Sequence, residues 1–591
     1  MKCKQRHGVV RFVQIATVLA LMVMVGTGCS TQQKRRGVRQ SLPPYSGPAF
    51  MTGSVMSMAR LRNPDDYLLI SGYGIVANLH GTGSAIVPAP LRQKMYNLAR
   101  KMGVKSPRSL FGNRETAIVV VEGLIPPGAV AGSRFDLLVS AVPQTDATSL
   151  FGGILWSTQL SVLGTADSLD MTPVATGRGP IYVNPFEDEI TQLKGALQAV
   201  VIGGGLVKKN REIELLMIQP NWQRVSAIAD RINERFEHEN SSYVFNTAIA
   251  VSDTTIKLNT PKRYRASPRY LLALIRHLFI GRGAGYEYDK ARQLGESLVE
   301  QPQHAASVML AWEALGRNAL PAIRDYYTHA DPVVRMAALQ AGAKLADERT
   351  TSVAVQLVED KDTKVRQTVA TLLGYLPRSL LGPKVLNTLL NDDNRQVRLV
   401  AYESLARIGD PTIHRTVFRD ELGNDKFLLD LVPSDKPLIY IGHSPIPKVV
   451  IFDMMLGFEG EGVISMWDNR LMLRHQGSDP MKVFYQRSHE FKSQQATIAP
   501  ALANLVLLMG HRPTPEHEMA GFNLQFSHVA NVLHMLVKRR RVAAQIEIQV
   551  NRSAATIARY RQLGPGQRRP DIGQNMEMGA VGDKGSGETG G

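Results

Sequence analysis

The stretch Gly72-Tyr-Gly-Ile-Val-Ala-Asn-Leu-His-Gly-Thr-Gly-Ser84 contains four glycines in thirteen residues, and Ser149-Leu-Phe-Gly-Gly-Ile-Leu155 follows about seventy residues later. A phosphate-binding loop needs Lys and Ser or Thr directly after its last glycine, but Gly83 is followed by Ser84-Ala-Ile. We therefore predict that the glycines permit positive φ angles and close backbone contact in β-turns.

A second glycine cluster, Gly203-Gly-Gly205, follows the apolar run that begins at Val200. Lys208 stands where the third glycine of a dinucleotide fingerprint belongs, and Lys209-Asn-Arg is predicted to turn into a strand rather than a helix. We therefore predict no nucleotide site at this cluster either.

The region around these motifs, from about residue 50 to 277, has the pattern of strands with interspersed helices. Alternating or continuous apolar runs predict strands, and apolar residues at helical spacing predict amphipathic helices. The predicted strands are 67–71, 117–122, 135–141, 212–218 and 255–261, and the predicted helices are 91–102 and 222–236.

Both glycine segments resemble signatures of the bacterial flagellar P-ring protein family. Residues 72–84 resemble its GYGLVxGLxGTGD signature, and residues 149–155 resemble its SLRGGxLLxTxL segment. Ser84 replaces the usual Asp, and Phe151 replaces the usual Arg. Further segments resemble the family in the same order, namely 96–103, 122–137 with Asp136 retained, 209–212, 220–236 and 255–278.

This resemblance implies a non-catalytic ring subunit without a cofactor, because a closed ring needs only repeated contacts between copies. The resemblance also selects an expected assembly region. Its residues are Gly72, Gly74, Gly81, Gly83, Asp136, Gly152 and Gly153.

Residues 281–415 have a different, repetitive pattern that is not part of the standard P-ring plan. Asp331-Pro-Val-Val-Arg335, Asp362-Thr-Lys-Val-Arg366 and Asn394-Arg-Gln-Val-Arg398 recur at intervals of 31 and 32, each before a small and apolar helical run. This spacing predicts HEAT-like helical pairs with a concave surface for a protein partner. Asp331 and Asp362 are expected to cap helices, while Arg335, Arg366 and Arg398 brace neighbouring repeats; a metal or phosphate role is the less favoured interpretation.

The chain returns to mixed structure at residues 416–555. Strands are predicted at 437–442, 448–453, 462–467 and 542–549, and a helix at 526–536. The last helix and strand faintly resemble the C-terminal element of the P-ring family. That similarity raises the hypothesis that the repeats are inserted within a divided P-ring body.

The N-terminus is typical of a lipoprotein signal. A basic start and the apolar run at 15–25 precede Gly26-Thr-Gly-Cys29, in which small residues expose the cleavage site and the Cys29 thiol accepts lipid. An ordinary cleaved signal or a single membrane anchor are the alternatives, although the run is short of the roughly 20 residues of a span. The basic, Pro-rich segment 29–49 is interpreted as a tether, either solvated or lying on anionic lipid.

Charge and side-chain chemistry narrow the function classes. The formal charge of +17 falls to about +13 without Lys2, Lys4, Arg6 and Arg11 of the signal, which favours an anionic neighbour. A basic motif interleaved with aromatics is not found, so no nucleic-acid partner is expected. His517-Glu518 lacks the second His that zinc proteases use, and no metal is predicted.

Two basic or histidine-containing features near the C-terminus are interpreted structurally. Lys538-Arg-Arg-Arg541 is read as a solvated helix end, with an acidic partner or membrane face as the alternative. His528 and His534 lie six residues apart and are interpreted as packing or surface residues.

The predicted fold class is α+β, with mixed β-rich P-ring-like domains and an α-helical HEAT-like solenoid. The predicted boundaries are a lipoprotein signal peptide at 1–28, a tether at 29–49, a P-ring-like region at 50–280, repeats at 281–415, a C-terminal α+β domain at 416–555 and a disordered tail at 556–591.

The favoured function is a structural P-ring or P-ring-like subunit, acting as a bushing around the rod of a flagellar basal body. Its expected location is the periplasm, lipid-anchored to the outer rather than the inner membrane. Its expected partners are further copies of itself, rod and L-ring components, and a protein on the repeats. The alternative is a monomeric envelope lipoprotein that binds a partner through the repeats, and a cell-wall glycan hydrolase ranks below both.

Overall fold

The computed structural model describes residues 42–62, 67–162, 173–185, 196–237, 246–376, 379–420, 423–444, 446–487, 493–515, 518–550 and 553–562. The predicted signal, the lipid acceptor Cys29, most of the tether, His517 and residues 563–591 lie outside these ranges. The described chain begins with a short 3-10 turn, the short helix α1 (Val55–Met58) and the short strand β1 (Ala59–Leu61).

Six strands form a closed barrel in the order β2-β3-β4-β7-β6-β5. All neighbouring pairs are antiparallel, and β5 closes the barrel against β2. The strands are β2 (Leu68–Ala77), β3 (Thr116–Ile125), β4 (Arg134–Ala141), β5 (Ile154–Val162), β6 (Ala175–Pro180) and β7 (Gln198–Val207).

Side-chain alternation along the strands separates the interior of the barrel from its outer surface. Val76 and Val119 belong to the barrel core, whereas their neighbours Ile75 and Ile118 pack under the outer helix. This helix, α2 (Ala89–Lys101), buries Met95 and Ala99 and is followed by α3 (Pro107–Phe111). The barrel is therefore filled by side chains and covered by helix on part of its surface.

A second unit follows, built on a four-stranded antiparallel sheet of order β1-β8-β10-β9. Two amphipathic helices share its core, and Asn221 caps the first by accepting from the backbone N–H of Arg224. The elements are β8 (Ile213–Met217), α4 (Trp222–Arg235), β9 (Ala248–Ser252), β10 (Thr255–Leu258) and α5 (Pro268–His277).

Helices alone make up the next region. Residues of α7, α9, α11 and α13 enter two hydrophobic clusters, the second of which continues into the C-terminal region. The helices are α6 (Tyr286–Glu300), α7 (Ala305–Leu315), α8 (Leu320–Arg324), α9 (Pro332–Lys344), α10 (Arg349–Gln356), α11 (Thr363–Leu373), α12 (Gly382–Leu389) and α13 (Arg395–Ile408).

The C-terminal region contains a mixed five-stranded sheet of order β11-β12-β14-β13-β19 and an antiparallel sheet β15-β16-β17-β18. The first is buried on both faces, since Val449 and Ile451 face one cluster while Val450 and Phe452 face the helical region. The elements are β11 (His414–Arg419), β12 (Asp425–Val432), β13 (Leu438–Gly442), β14 (Lys448–Phe452), β15 (Gly462–Met466), β16 (Leu471–His475), β17 (Met481–Tyr485), β18 (Gln494–Ile498), α14 (Leu502–Gly510), α15 (Phe526–Lys538) and β19 (Gln545–Ile548).

The chain then returns to the barrel through a last helix, α16 (Ser553–Gln562), which contacts β3 and β4. The buried Tyr560 meets Tyr67 edge to face at 5.7 Å, and Arg561 pairs with the buried Glu122. The prediction that the disordered tail begins at 556 is therefore wrong for residues 556–562. The apolar and aromatic contacts of Tyr560 stabilise a helix in a segment for which composition alone suggested no ordered structure.

The mixed α+β class is confirmed, whereas the HEAT-like arrangement of the helices stays a prediction. Within the described ranges, the structure contains no helix that is both long and apolar enough to cross a membrane.

Candidate assembly site

The first two motif glycines lie within β2, where another strand comes very close. A Cβ at Gly72 would overlap the carbonyl oxygen of Gln159, and one at Gly74 would lie 2.6 Å from Thr158 Oγ1. Here the pairing of β2 with β5 shifts register between Ser71 and Val76. The predicted turn geometry is thus wrong for these two glycines, since barrel closure requires them inside a strand.

The other two glycines lie in the loop after β2 and have different roles. Gly81 adopts a φ of +91°, and a Cβ there would have no neighbour within 4 Å. A Cβ at Gly83 would overlap the carbonyl oxygen of Thr116, which accepts the Ser84 N–H at 2.8 Å. The loop therefore follows the prediction, with one positive φ and one close backbone contact.

The structure brings the two glycine segments together. Thr82 Oγ1 donates to the carbonyl of Ser149 at 2.9 Å, and the Thr148 N–H donates to the carbonyl of Thr82 at 2.8 Å. A Cβ at Gly153 would overlap Val76 Cγ1. Two segments seventy residues apart in sequence thus form one connected end of the barrel, which we call the motif end (residues 77–87 and 142–153).

A carboxylate is present at the motif end despite the serine at position 84. Ser84 Oγ donates to Asp146 Oδ1 at 2.6 Å, and Arg114 Nη2 lies 3.1 Å from Asp146 Oδ2. The Ser84 hydrogen bond, with the N–H of Ile86 and the charge of Arg114, lowers the pKa of Asp146. Asp146 thus supplies a negative group where the closing residue of the sequence motif is polar but neutral.

The motif end packs against the C-terminal region of the same chain. Phe151 lies 4.9 Å from the His528 ring and 6.3 Å from the Trp467 ring, measured between centroids. Gly152 has a φ of +78°, and a Cβ there would meet His528 Nε2 at 3.2 Å. Gly152, predicted to lie in an assembly region, therefore contacts α15 of its own chain.

The hairpin that carries Trp467 has an unusual backbone. Trp467, Asp468 and Asn469 all have positive φ, at 53°, 54° and 66°. Three consecutive non-glycine residues in this region cost roughly 1 kcal/mol or more each. Trp467 Nε1 donates to Asn531 Oδ1 at 2.9 Å, and this hydrogen bond helps to hold the hairpin against α15.

A second contact surface between barrel and C-terminal region surrounds His443. This residue is 4% exposed, and its ring lies 4.7 Å from Tyr182 and 6.0 Å from Phe526. Neither ring nitrogen has a hydrogen-bond partner among the described residues. Burial lowers the pKa of His443 to about 4, although the charge of Asp136 acts in the opposite direction.

Asp136 connects three parts of the structure. Its Oδ1 accepts the Gly203 N–H at 2.8 Å and its Oδ2 accepts from Ser553 Oγ at 3.3 Å, at the start of α16. Its charge also acts on His443. Sequence reasoning selected Asp136 by resemblance, but gave no signal for Tyr182, His443 or Trp467 because these contacts are long-range.

In the helical region, the first residue of each repeated fragment caps a helix, as predicted for Asp331 and Asp362. Asp331 Oδ1 accepts the Val333 N–H at 2.7 Å, and Asp362 Oδ1 accepts the Lys364 N–H at 2.8 Å. Asn394 Oδ1 accepts the Gln396 N–H at 2.8 Å. Asx caps of this kind begin α9, α11 and α13.

The arginines of the fragments share one bond that the sequence did not predict. Each donates to the carbonyl six residues before it, and the distances are 3.0 Å for Arg335 to His329, 2.8 Å for Arg366 to Asp360 and 2.8 Å for Arg398 to Asp392. Arg366 also pairs with both carboxylate oxygens of Asp392 at 2.8 and 3.0 Å. Arg366 therefore contacts the loop before the next fragment, and the bond that the three arginines share holds each fragment's own loop.

The basic run at the end of α15 also has a defined role. Arg539 Nη1 donates to the Ser465 carbonyl at 2.7 Å, and Arg541 Nη1 lies 3.3 Å from the carbonyls of Glu459 and Glu461. Lys538, Arg539 and Arg540 are exposed at the helix end, as interpreted from the sequence, and Arg539 and Arg541 in addition bind the β15 hairpin.

No group of three His, Cys, Asp or Glu residues in the described ranges is arranged to hold a metal ion. The described geometry is that of backbone contacts, aromatic packing and buried ion pairs.

Comparison with known proteins gives one consistent result for this part of the chain. Residues 55–284 match the family model described as flagellar P-ring protein. The flagellar P-ring protein of Aquifex aeolicus is 29% identical over 226 residues, which are 36% of this chain and 57% of the relative. That of Rhizobium etli is 29% identical over 209 residues, 33% of this chain and 54% of the relative.

A third relative, the flagellar P-ring protein of Thermotoga maritima, is 26% identical over 240 residues, 39% of this chain and 67% of the relative. The chain spans little more than half the length of the first two relatives. The matched residues cover the barrel and the four-stranded sheet unit, and over this part the chain is similar to the flagellar P-ring protein family.

Proposed function

We propose that this protein is a structural, non-catalytic subunit of a flagellar P-ring or P-ring-like periplasmic ring. In such a ring, identical copies contact one another head to tail and act as a bushing around a rod. The rod and L-ring components would be its neighbours.

One observation supports this proposal above all others. The family match at 55–284 begins at α1 and ends just after α5, so it includes two complete structural units rather than a fragment of a sheet. Gly72 and Gly74 inside it lie where strands come too close for a side chain. The resemblance therefore extends over residues on which barrel closure depends.

We propose an indirect assembly role for Gly72, Gly74, Gly81, Gly83, Asp136, Gly152 and Gly153. Their contacts are with other parts of the same chain, including Gln159, Thr116, Gly203 and His528. They would support assembly by fixing the barrel and its junction with the C-terminal region, whose outer surfaces then meet the next copy.

The remaining regions would adapt this ring body. The helices of 286–408 would form a HEAT-like docking surface, with Asp331, Arg335, Asp362, Arg366 and Arg398 as its framework. The packing of α15 and α16 on the barrel supports the idea that the C-terminal region completes a divided ring body. A lipid on Cys29 would localise the ring, more naturally at the outer membrane.

Oligomeric state tests the proposal. The full chain with Cys29→Ala, purified alone or with rod proteins of its host, is expected to give closed rings by negative-stain electron microscopy and a matching mass by light scattering. Basal bodies of a deletion strain should lack a periplasmic ring in cryotomography. A monomer under both conditions, together with normal motility of the deletion strain, would overturn the ring and favour a monomeric scaffold.

A further inference from the structure

The outer face of the barrel carries a cleft that the proposed ring function does not use. Its volume is about 570 Å³, and it lies between α2 and the loop that leads into α3. The lining includes the four cations Arg92, Arg100, Lys105 and Arg108, together with Tyr96 and Ser106.

The sequence around this cleft is strongly one-sided in charge. Between Asp66 and Glu115 the chain contains seven Lys or Arg residues and no Asp or Glu. Arg92, Tyr96 and Arg100 are spaced by four residues on α2 and therefore lie on one helix face.

The four cations lack acidic partners within the described ranges. Arg92, Arg100, Lys105 and Arg108 are exposed, and no ion pair joins any of them to a described carboxylate. Arg92 Nη2 contacts the carbonyl of Val87 at 3.4 Å, which orients its guanidinium without neutralising it. By contrast, Arg114 at the end of the same basic segment is paired with Asp146.

The aromatic residue of the cleft is held in place. The Tyr96 ring stacks on Phe111, with 5.8 Å between centroids and 16° between planes. Phe111 is buried at the end of α3, so the two rings link the helix to the loop that carries Lys105 and Arg108. The two walls that carry the cations are therefore connected through packed side chains, which fixes the spacing between them.

We propose that this cleft binds a ligand with at least two phosphate groups, such as an oligophosphate or the phosphate headgroups of an anionic lipid surface. Guanidinium groups bind phosphate oxygens through two parallel N–H donors, and several cations in one concave site favour a multiply charged group. An acidic protein face would be met more naturally by a flat or convex basic surface than by this concave one. The proposal is independent of ring formation.

The test compares binding to several anions by the full chain with Cys29→Ala. Calorimetry with pyrophosphate examines a free phosphate, and sedimentation with vesicles of phosphatidylglycerol, against phosphatidylcholine, examines a lipid surface. We expect binding to pyrophosphate, to the anionic vesicles or to both, and the stronger response identifies the source. Binding should weaken as salt rises, because the cations are exposed.

Variants place the binding in the cleft. Arg92→Gln with Arg100→Gln, and separately Lys105→Gln with Arg108→Gln, should each weaken binding roughly tenfold or more. The matched control is Lys208→Gln with Lys209→Gln, which removes two exposed charges after β7 and should change binding less than about twofold. Circular dichroism checks that each variant is folded.

Three results would each overturn the proposal. They are no binding to either phosphate probe, equal weakening by the control pair, and tighter binding of poly-glutamate than of both phosphate probes. The last result would instead assign the cleft to an acidic protein.

Discussion

The barrel and the helical region achieve order by opposite means. In the barrel, β2 and β5 come so close that there is no room for a Cβ at Gly72 or Gly74, so the strand pairing depends on the absence of a side chain. In the helices, Asp362 and Arg366 add polar atoms that bind specific backbone groups within their own fragment. The requirement in the barrel is steric and joins residues far apart in sequence, whereas the hydrogen bonds in the helices join residues close together in sequence.

This difference predicts different responses to substitution. Adding a methyl group to a closed barrel meets backbone atoms that cannot move without opening a strand pair. Removing one polar group from a helical fragment loses a hydrogen bond or cap, and the loss is confined to that fragment unless a buried partner is left alone. The predictions below test this contrast, starting with the largest expected effect.

Gly72→Ala should be the most damaging single change. Its Cβ would overlap the Gln159 carbonyl, so the β2 and β5 pairing must separate, and we expect a loss of about 3 kcal/mol or more. Urea unfolding followed by fluorescence measures it.

Gly81→Ala is the control in the same motif. Gly81 has open space but a φ of +91°, so the substitution should cost only about 1 to 2 kcal/mol through backbone strain. Equal losses for the two variants would contradict the claim that close strand contact, rather than glycine φ, determines the barrel.

Arg366→Met should destabilise the helical region more than Arg335→Met, although both arginines occupy the same position of a repeated fragment. Both variants lose the bond to a carbonyl six residues earlier. Only Arg366→Met also leaves Asp392, whose side chain is 8% exposed, without its paired guanidinium. We expect about 2 to 3 kcal/mol for Arg366 and about 1 kcal/mol for Arg335.

The double variant Arg366→Met with Asp392→Asn separates the two contributions. If the unpaired carboxylate causes the difference, thermal unfolding should show that the double variant recovers at least half of it. No recovery would mean that the lost carbonyl bond, or the loss of packing around the guanidinium, dominates.

The same contrast explains what the sequence predicted and what it did not. The caps at Asp331 and Asp362 followed from residue type, because Asx side chains bind N–H groups two or three residues ahead. The strands and helices with strong periodicity, such as β3, α4 and α13, were also predicted. Local chemistry and local period were sufficient for these elements.

Long-range contacts were beyond such reasoning. Nothing near Phe151 indicates Trp467 or His528, more than three hundred residues away, and nothing near Tyr560 indicates Tyr67. The assembly-region glycines were selected by family resemblance, and the strand location of Gly72 and Gly74 was missed because a glycine pattern does not distinguish a turn from a close strand contact.

Acid should loosen the junction of the barrel before it affects the helical fragments. The pKa of the buried His443 is lowered to about 4 from its ordinary value of 6.5, so the folded state favours the neutral ring. The stability that the neutral ring contributes is fully present above about pH 6.5 and is lost as pH falls toward 4. The loss of stability at pH 5 is about 2 kcal/mol. Hydrogen exchange at pH 7 and pH 5 should show faster exchange in β13 and α15 than in α9 and α11.

His443→Phe checks the origin of this response. The variant keeps a ring beside Tyr182 and Phe526 but has no titrating group, so the acid-induced increase in exchange should fall in β13. The buried His528, whose pKa burial lowers to about 3, keeps part of the response of α15. An unchanged pH response would exclude His443 as its main source.

Asp331→Ala should lower the stability least of the single variants compared here. The variant removes the cap that accepts the Val333 N–H, and an exposed cap of this kind contributes about 1 kcal/mol. Asp331→Asn, with the residue type found at position 394, should retain most of that stability, because an Asn side chain caps α13 in the same way. Thermal unfolding of the two variants distinguishes a hydrogen-bonded cap from a charge effect. If Asn is as destabilising as Ala, the carboxylate charge near the start of α9 matters more than the hydrogen bond. The helical fragments would then depend on electrostatics in addition to their local hydrogen bonds.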